Sequence, residues 1–255
     1  MMNWFDTHIH LSAPEWRESP QQLSTLARDA AIGGLLIPGV RVDEWPCLLA
    51  LAQELPAVYV APGLHPIHAD QWTAAAATQL TALAAQREVV AIGEIGLDAV
   101  VGTSLDAQER VFRDQLQIAL EVGLPVLLHS RKTTGRVLAI LRELQIGRQV
   151  GGIWHGFSGS VEVARELVAL GFKIGVGPIL LRESARRLPQ AVVALPDEAL
   201  VLETDAPDMI EDPLGLLRVA SRLAELKSWT LEQTAQITSA NARQVFRQRL
   251  ISAEG

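Results

Sequence analysis

Cysteine is nearly missing from this sequence, with Cys47 the only one in 255 residues. An internal disulfide is therefore excluded, and a reducing, cytoplasmic setting is expected. Cys47 lies in the apolar run Cys47-Leu48-Leu49-Ala50-Leu51 and reads as core filler rather than a nucleophile. Long apolar runs are missing too: Gly, Pro or a charge breaks each one well before 18 residues, so no membrane span is expected. No basic stretch leads into an apolar one near Met1, and no secretory signal is expected there. Basic side chains are outnumbered, with 22 Lys and Arg against 29 Asp and Glu and a formal charge of −7. That balance counts against coating of long DNA, while leaving room for a local basic patch. No linker, low-complexity tract or obligate protein partner is indicated.

What is present is a large apolar fraction, 49% of residues, arranged as alternating strands and helices. Strands are expected up to His10, over 34–40, 57–61, 89–98, 124–129, 151–155, 172–176 and 200–205. Helices are expected over 23–31, 43–55, 72–86, 106–123, 136–144, 161–170, 216–226 and 230–250, with Asp106 as a possible cap. The strands are continuously apolar, as strands covered on both faces should be. The expected fold is one α/β domain over 1–255, a TIM-type (β/α)8 barrel. An open doubly wound sheet is the alternative, but no Gly-x-Gly-x-x-Gly follows the first strand.

The chemistry begins in Phe5-Asp6-Thr7-His8-Ile9-His10. In a strand His8 and His10 project to one side, about 7 Å apart, which suits a divalent metal. Barrel strands end at one mouth. The expected strand ends add Glu94, His129, His155 and Asp205, so four of the chain's six histidines gather there. Six ligands exceed what one tetrahedral ion needs, so two divalent ions (Mg, Mn or Zn) are expected, with Glu94 placed to bridge them. Asp205 can bind one ion and also orient or deprotonate the attacking water. Because imidazoles must be neutral to bind, occupancy is expected to fall below roughly pH 6.

Phe-Asp-Thr-His-Ile-His-Leu (5–11), Gly-Leu-His-Pro (63–66) and Gly-Glu-Ile-Gly-Leu-Asp (93–98) resemble the TatD-related metal-dependent hydrolases. So do Gln108 to Arg131, His-Gly-Phe-Ser-Gly-Ser (155–160), Glu-Thr-Asp-Ala-Pro (203–207) and the closing Ala240 to Phe246. The resemblance implies a distorted TIM barrel, two divalent cations and phosphodiester hydrolysis, commonly as a deoxyribonuclease acting from strand ends. It implies His8, His10 and Asp205 for one ion, His129 and His155 for the other, and Glu94 for both. Two departures stand out: Asp208-Met209-Ile210-Glu211-Asp212-Pro213 is short and acidic where the family tends to carry basic residues, and Ala99 replaces a residue that is often aromatic. Those carboxylates should repel a polyanion over a Debye length of about 8–10 Å. Single-stranded DNA ends or small phosphodiesters are therefore expected as substrates, with weak affinity for long duplex.

Other positions carry two readings. His65 can touch a phosphate or hydrogen-bond its own loop, and Arg131 can clamp a phosphate oxygen or form an ordinary salt bridge. His68 is expected to start a helix without further role. Gly175 and Gly177 would let a substrate approach the backbone. Arg182, Arg186 and Arg187 read as a solvated helix face, and Glu203 as a support for the site. An amidohydrolase acting on C–N bonds or lactones is the second enzyme reading. Many such enzymes bridge their metals with a carbamylated lysine on strand four, where this chain has Glu94 and no lysine. A barrel that has lost catalysis and only binds is the third.

Overall fold

The computed structural model describes residues 2–250 and shows eight parallel strands alternating with helices, a TIM-type barrel. Its first half runs β1 (Trp4–Asp6), α1 (Pro20–Asp29), β2 (Ile32–Pro38), α2 (Trp45–Glu54), β3 (Val58–Ala61), α3 (Ala74–Leu83), β4 (Ile92–Asp98) and α4 (Leu105–Val122). There follow β5 (Val126–Arg131), α5 (Thr134–Glu143), α6 (Ile146–Gln149), β6 (Gly152–Trp154), α7 (Val161–Leu170) and β7 (Phe172–Val176). The chain closes with α8 (Arg187–Ala194), β8 (Leu200–Leu202), α9 (Gly215–Lys227), α10 (Leu231–Val245) and α11 (Arg247–Leu250).

The strands pair as β1-β2-β3 and as β4 through β8. Shorter contacts join these arcs into a ring. Val60 N donates to Glu88 O at 3.0 Å, and Val90 N to Val60 O at 3.0 Å, joining β3 to the approach of β4. Thr7 N donates to Leu202 O at 3.0 Å and His10 N to Ala206 O at 2.8 Å, joining β1 to β8. Apolar residues fill two compartments. One lies between strands and surrounding helices; the other is the barrel interior, where Leu36, Ala61, Leu127, Ile153 and Val201 pack together. Its floor is aromatic: Phe5 stacks on Tyr59 at 6.0 Å and meets Phe246, just past α10, at 5.8 Å. The barrel interior is thus closed below, and its mouth lies at the other end, where the strands terminate.

Several expectations need correction. Cys47 is exposed, because α2 turns Trp45, Leu48 and Ala52 inward at helical spacing and leaves Cys47 on the outer face. The cap of α4 is Ser104, whose side chain accepts from Ala107 N, and not Asp106. Residues 72–86 do not form one long helix: α3 starts after its cap Thr73, behind a 3-10 segment over Pro66–Gln71 that contains His68. Helix α8 was not expected at all. Its Pro189 reads as a breaker, yet it sits in the first turn, where a missing N–H costs nothing. Finally, β8 ends at Leu202 and not at Asp205.

Candidate metal centre

The early end of β8 shapes the site. Asp6 is buried, and its carboxylate accepts from Thr204 Oγ1 at 2.7 Å, Thr204 N at 3.1 Å and His8 N at 3.1 Å. Backbone groups that would have extended both strands are thereby taken by a side chain. Asp205 then adopts a left-handed backbone, φ +51°, which aspartate tolerates better than most residues. Its N–H donates to His8 O at 2.8 Å, and its carboxylate turns into the mouth. Burial pushes the Asp6 carboxyl up to about 7, against these three hydrogen bonds, which favour the ionised form. The sequence signal for Asp6 was its place two residues before His8.

All six expected ligand positions meet at the mouth. His8 Nε2 lies 3.3 Å from His10 Nε2, 3.3 Å from Glu94 Oε2 and 3.5 Å from Asp205 Oδ1, and His10 Nε2 lies 3.3 Å from Asp205 Oδ1. With donor–ion bonds of about 2.1 Å, two ligands of a tetrahedral centre stand about 3.4 Å apart. Four donor spacings therefore match the edges of one tetrahedron, so these residues fit a divalent ion. Across the mouth, Glu94 Oε1 lies 2.6 Å from His129 Nδ1 and 3.8 Å from His155 Nε2. The latter is also 3.5 Å from Asp205 Oδ2. Glu94 thus presents one oxygen to each cluster.

The protonation pattern follows from these distances. Burial, then the neighbouring His155, pulls His8 below the ordinary imidazole range. Burial also opposes the charge on His129, but Glu94 and Asp98 overcome it and raise this group to about 9. Burial would raise Glu94, yet His8, His155 and His129 hold it well below the usual carboxylate range. Asp205 behaves alike: burial raises it, while His155 and His10 bring it well below. Both carboxylates are therefore ionised at neutral pH.

A surrounding layer holds these groups. Glu203 is buried; its Oε1 accepts from Gly156 N at 2.7 Å, and its Oε2 lies 3.2 Å from His155 Nδ1 without an aligned hydrogen bond. The same carboxylate corrects the expectation for Gly175 and Gly177. A Cβ at Gly175 would collide with Glu203, so the missing side chains make room for it and not for a substrate. Asp98, missed as a site residue, places Oδ2 3.3 Å from His129 Nε2. Two buried glutamines on α4 fix the loops that carry the site. Gln108 accepts from Asp98 N at 2.8 Å, and Gln115 accepts from Leu64 N at 2.7 Å, one residue before His65. Polar residues seven apart on a buried helix face were the available signal.

His65 takes the loop-bonded reading and also lies beside a candidate ligand position. Its Nδ1 accepts from Ile67 N at 3.2 Å, and its ring stands edge-on to His129 at 4.4 Å. Burial lowers it to about 4, so it is neutral. His65 and His68 both line the mouth cavity of about 310 Å3, together with His10, Glu94, His129, His155, Asp205 and Asp208. Arg131 does not line that cavity; it is exposed at the end of β5, in register with Asp98. Trp16 is half-buried and donates to His10 O at 2.9 Å.

Comparison with known proteins agrees with this geometry. The family model described as TatD related DNase matches residues 5–247. A metal-dependent hydrolase of uncharacterised role, YabD of Bacillus subtilis, is 34% identical over 95% of this chain and 98% of its own. The 3'-5' ssDNA/RNA exonuclease TatD of a Pantoea strain is also 34% identical, over 95% and 99%. The crystal structure of YjjV, a TatD homologue of Escherichia coli, superimposes with a TM-score of 0.89 at 32% identity, covering 96% of this chain and 98% of that one. Among the described residues no helix is long and apolar enough to cross a membrane.

Proposed function

The chain belongs to the family of TatD related DNases, and on that premise we propose that this metal-dependent hydrolase cleaves phosphodiesters at single-stranded nucleic-acid ends or in small esters, using two divalent ions. The observation that carries the reading is Glu94, whose two oxygens face two separate histidine clusters 3.3 and 2.6 Å away. His8, His10 and Asp205 would hold one ion, His129 and His155 the other, and Glu94 both. When bound, such ions supply positive charge to the phosphoryl oxygens and acidify the attacking water. Mg, Mn and Zn all suit this mixed set of imidazoles and carboxylates.

The chain's own groups supply the rest. Asp205 is ionised and reaches into the mouth, so it orients the water and accepts its proton. His65 is neutral and accepts a hydrogen bond at Nδ1; the remaining proton is then on Nε2, which can donate to a phosphoryl oxygen. Arg131, exposed at the rim, suits a phosphate beyond the mouth. Asp208 shares the mouth cavity and disfavours a polyanion running through it.

Many amidohydrolases bridge their metals with a carbamylated lysine on strand four, and β4 carries no lysine. Lys173 Nζ is bound by Glu198 O and Gln244 Oε1, Lys227 Nζ by Leu195 O and Asp197, and Lys132 is exposed. Chelated protein reloaded with Mg, Mn or Zn should be assayed on bis(4-nitrophenyl) phosphate, a nitroanilide and a lactone. Hydrolysis of the phosphodiester alone is expected, and it should vanish in excess chelator. Turnover of the amide or lactone without the phosphodiester would reverse the assignment.

A further inference from the structure

The mouth is not electrostatically uniform. On the β1–β2 side, Asp208, Glu15 and Glu44 border a cavity of about 260 Å3 that reaches His10. On the β6–β7 side, Arg182, Arg186 and Arg187 border another of about 320 Å3, with Ser158 and Ser184. All three arginines are exposed, and among the described residues none forms an ion pair with a carboxylate. Arg186 spends one nitrogen on Glu183 O and Ala185 O, while Arg182 reaches Met209 Sδ at 3.8 Å. Met209 in turn donates its N–H to Asp205 O at 2.8 Å. Ser158 lies three residues beyond His155, hence within about 11 Å of it at full extension. This arginine cavity therefore adjoins the metal centre, although the chain as a whole carries −7.

We propose that the cavity lined by Arg182, Arg186, Arg187 and Ser158 is a phosphate-backbone subsite, which holds the trailing phosphates of a single-stranded polynucleotide whose terminus lies at the metal centre. The inference rests on the phosphodiester reading above and adds a direction to it. Guanidinium forks match phosphate oxygens, and serine hydroxyls can complete the set. The acidic cavity on the opposite side opposes continuation of the strand, so only an end can be placed between the two. An unbroken duplex would have to cross both fields. These arginines are thus more than a solvated helix face.

The double variant Arg182→Ser with Arg187→Ser tests the subsite, leaving Arg186 to its backbone carbonyls. Binding of a fluorescein-labelled ten-nucleotide oligo-dT, without metal and across a salt series, is the main readout. Each phosphate contact contributes about −0.7 to the slope of log K against log salt for a single strand. Loss of two contacts should make that slope shallower by about 1.4 and weaken binding roughly five- to tenfold near physiological salt. Hydrolysis of bis(4-nitrophenyl) phosphate, which has no trailing phosphate, should be unchanged in the double variant. The matching double lysine variant should retain most of the slope. Unchanged binding in the serine variant, or equal loss in the lysine variant, would overturn the subsite. If the parent protein fails on the small ester, the catalytic reading falls, while the metal-free binding measurement still decides the subsite.

Discussion

Mouth and floor of the barrel are built on opposite terms. The floor is apolar and closed: Phe5 stacks on Tyr59 and meets Phe246 where α10 ends, below the tightly packed Leu36, Leu127 and Val201. At the mouth, four imidazoles and two carboxylates are held within a few ångströms of one another, an arrangement that packing alone would never favour. What makes it tolerable is the rigid ring beneath and the polar residues that fix each ligand. Floor substitutions should therefore cost stability and spare chemistry, whereas mouth substitutions should do the reverse.

The largest separation is expected from Glu94→Gln. The carboxylate whose two oxygens face the two clusters is lost as a charged ligand, so hydrolysis should disappear and metal content fall, as read by elemental analysis of the purified protein. A variant that retains two ions and full turnover would remove Glu94 from its bridging place. Phe246→Ala probes the other end. Emptying a buried aromatic site costs about 3–5 kcal/mol, which denaturant unfolding of metal-free protein should register. Ligand spacing at the mouth should survive, leaving kcat per folded molecule near that of the parent. Loss of metal binding at equal foldedness would show that floor and mouth are coupled.

Glu203→Gln sharpens the contrast within the mouth. Gly156 N keeps its acceptor, but His155 Nδ1 then faces an amide that cannot stabilise its N–H as a carboxylate does. Metal affinity should fall about 10–100-fold without unfolding, measured by competition with a chromogenic chelator. The smallest effect concerns protons. Glu94 and Asp98 hold His129 up to about 9, so at neutral pH this imidazole carries a proton that an incoming ion must displace. Metal affinity should accordingly climb with pH until about 9, a window higher than the pH 6 suggested by isolated histidines. Calorimetry at pH 7.5 in buffers of different ionisation enthalpy should reveal proton release. Identical heats in all buffers would contradict it.

The spacing of strand ends made the convergence of His8, His10, Glu94, His129, His155 and Asp205 legible, since a barrel delivers every strand terminus to one mouth. Helix α7 and strand β7 fall on their expected residues because Gly171, at φ +103°, stops one and allows the other to begin. Side-chain intrusions into the backbone network were not legible. Asp6 takes the N–H of Thr204, so β8 stops early, and nothing in the apolar run Leu200-Val201-Leu202 announces it. Glu203 occupies the space that Gly175 and Gly177 leave open, a relation between two strands that no local pattern encodes. Cys47 was misplaced because its run is apolar on both sides, and only the phase of α2 decides which residue faces out. Arg182, Arg186 and Arg187 were visible as charge; their nearness to the mouth was not.

The clasp between Asp6 and Thr204 also sets a time. These residues stand 198 positions apart, so His8, His10 and Asp205 cannot meet until residue 205 has left the ribosome. A nascent chain that has emitted only β1 through β7 offers His8 and His10 without Asp205, and Asp6 has no hydroxyl to meet. Closure of the ring and completion of the cluster are then one event, so these donors come together only in a closed barrel. Truncation before 204 would leave a chain unable to assemble the His8, His10 and Asp205 set, whatever else of its fold persisted.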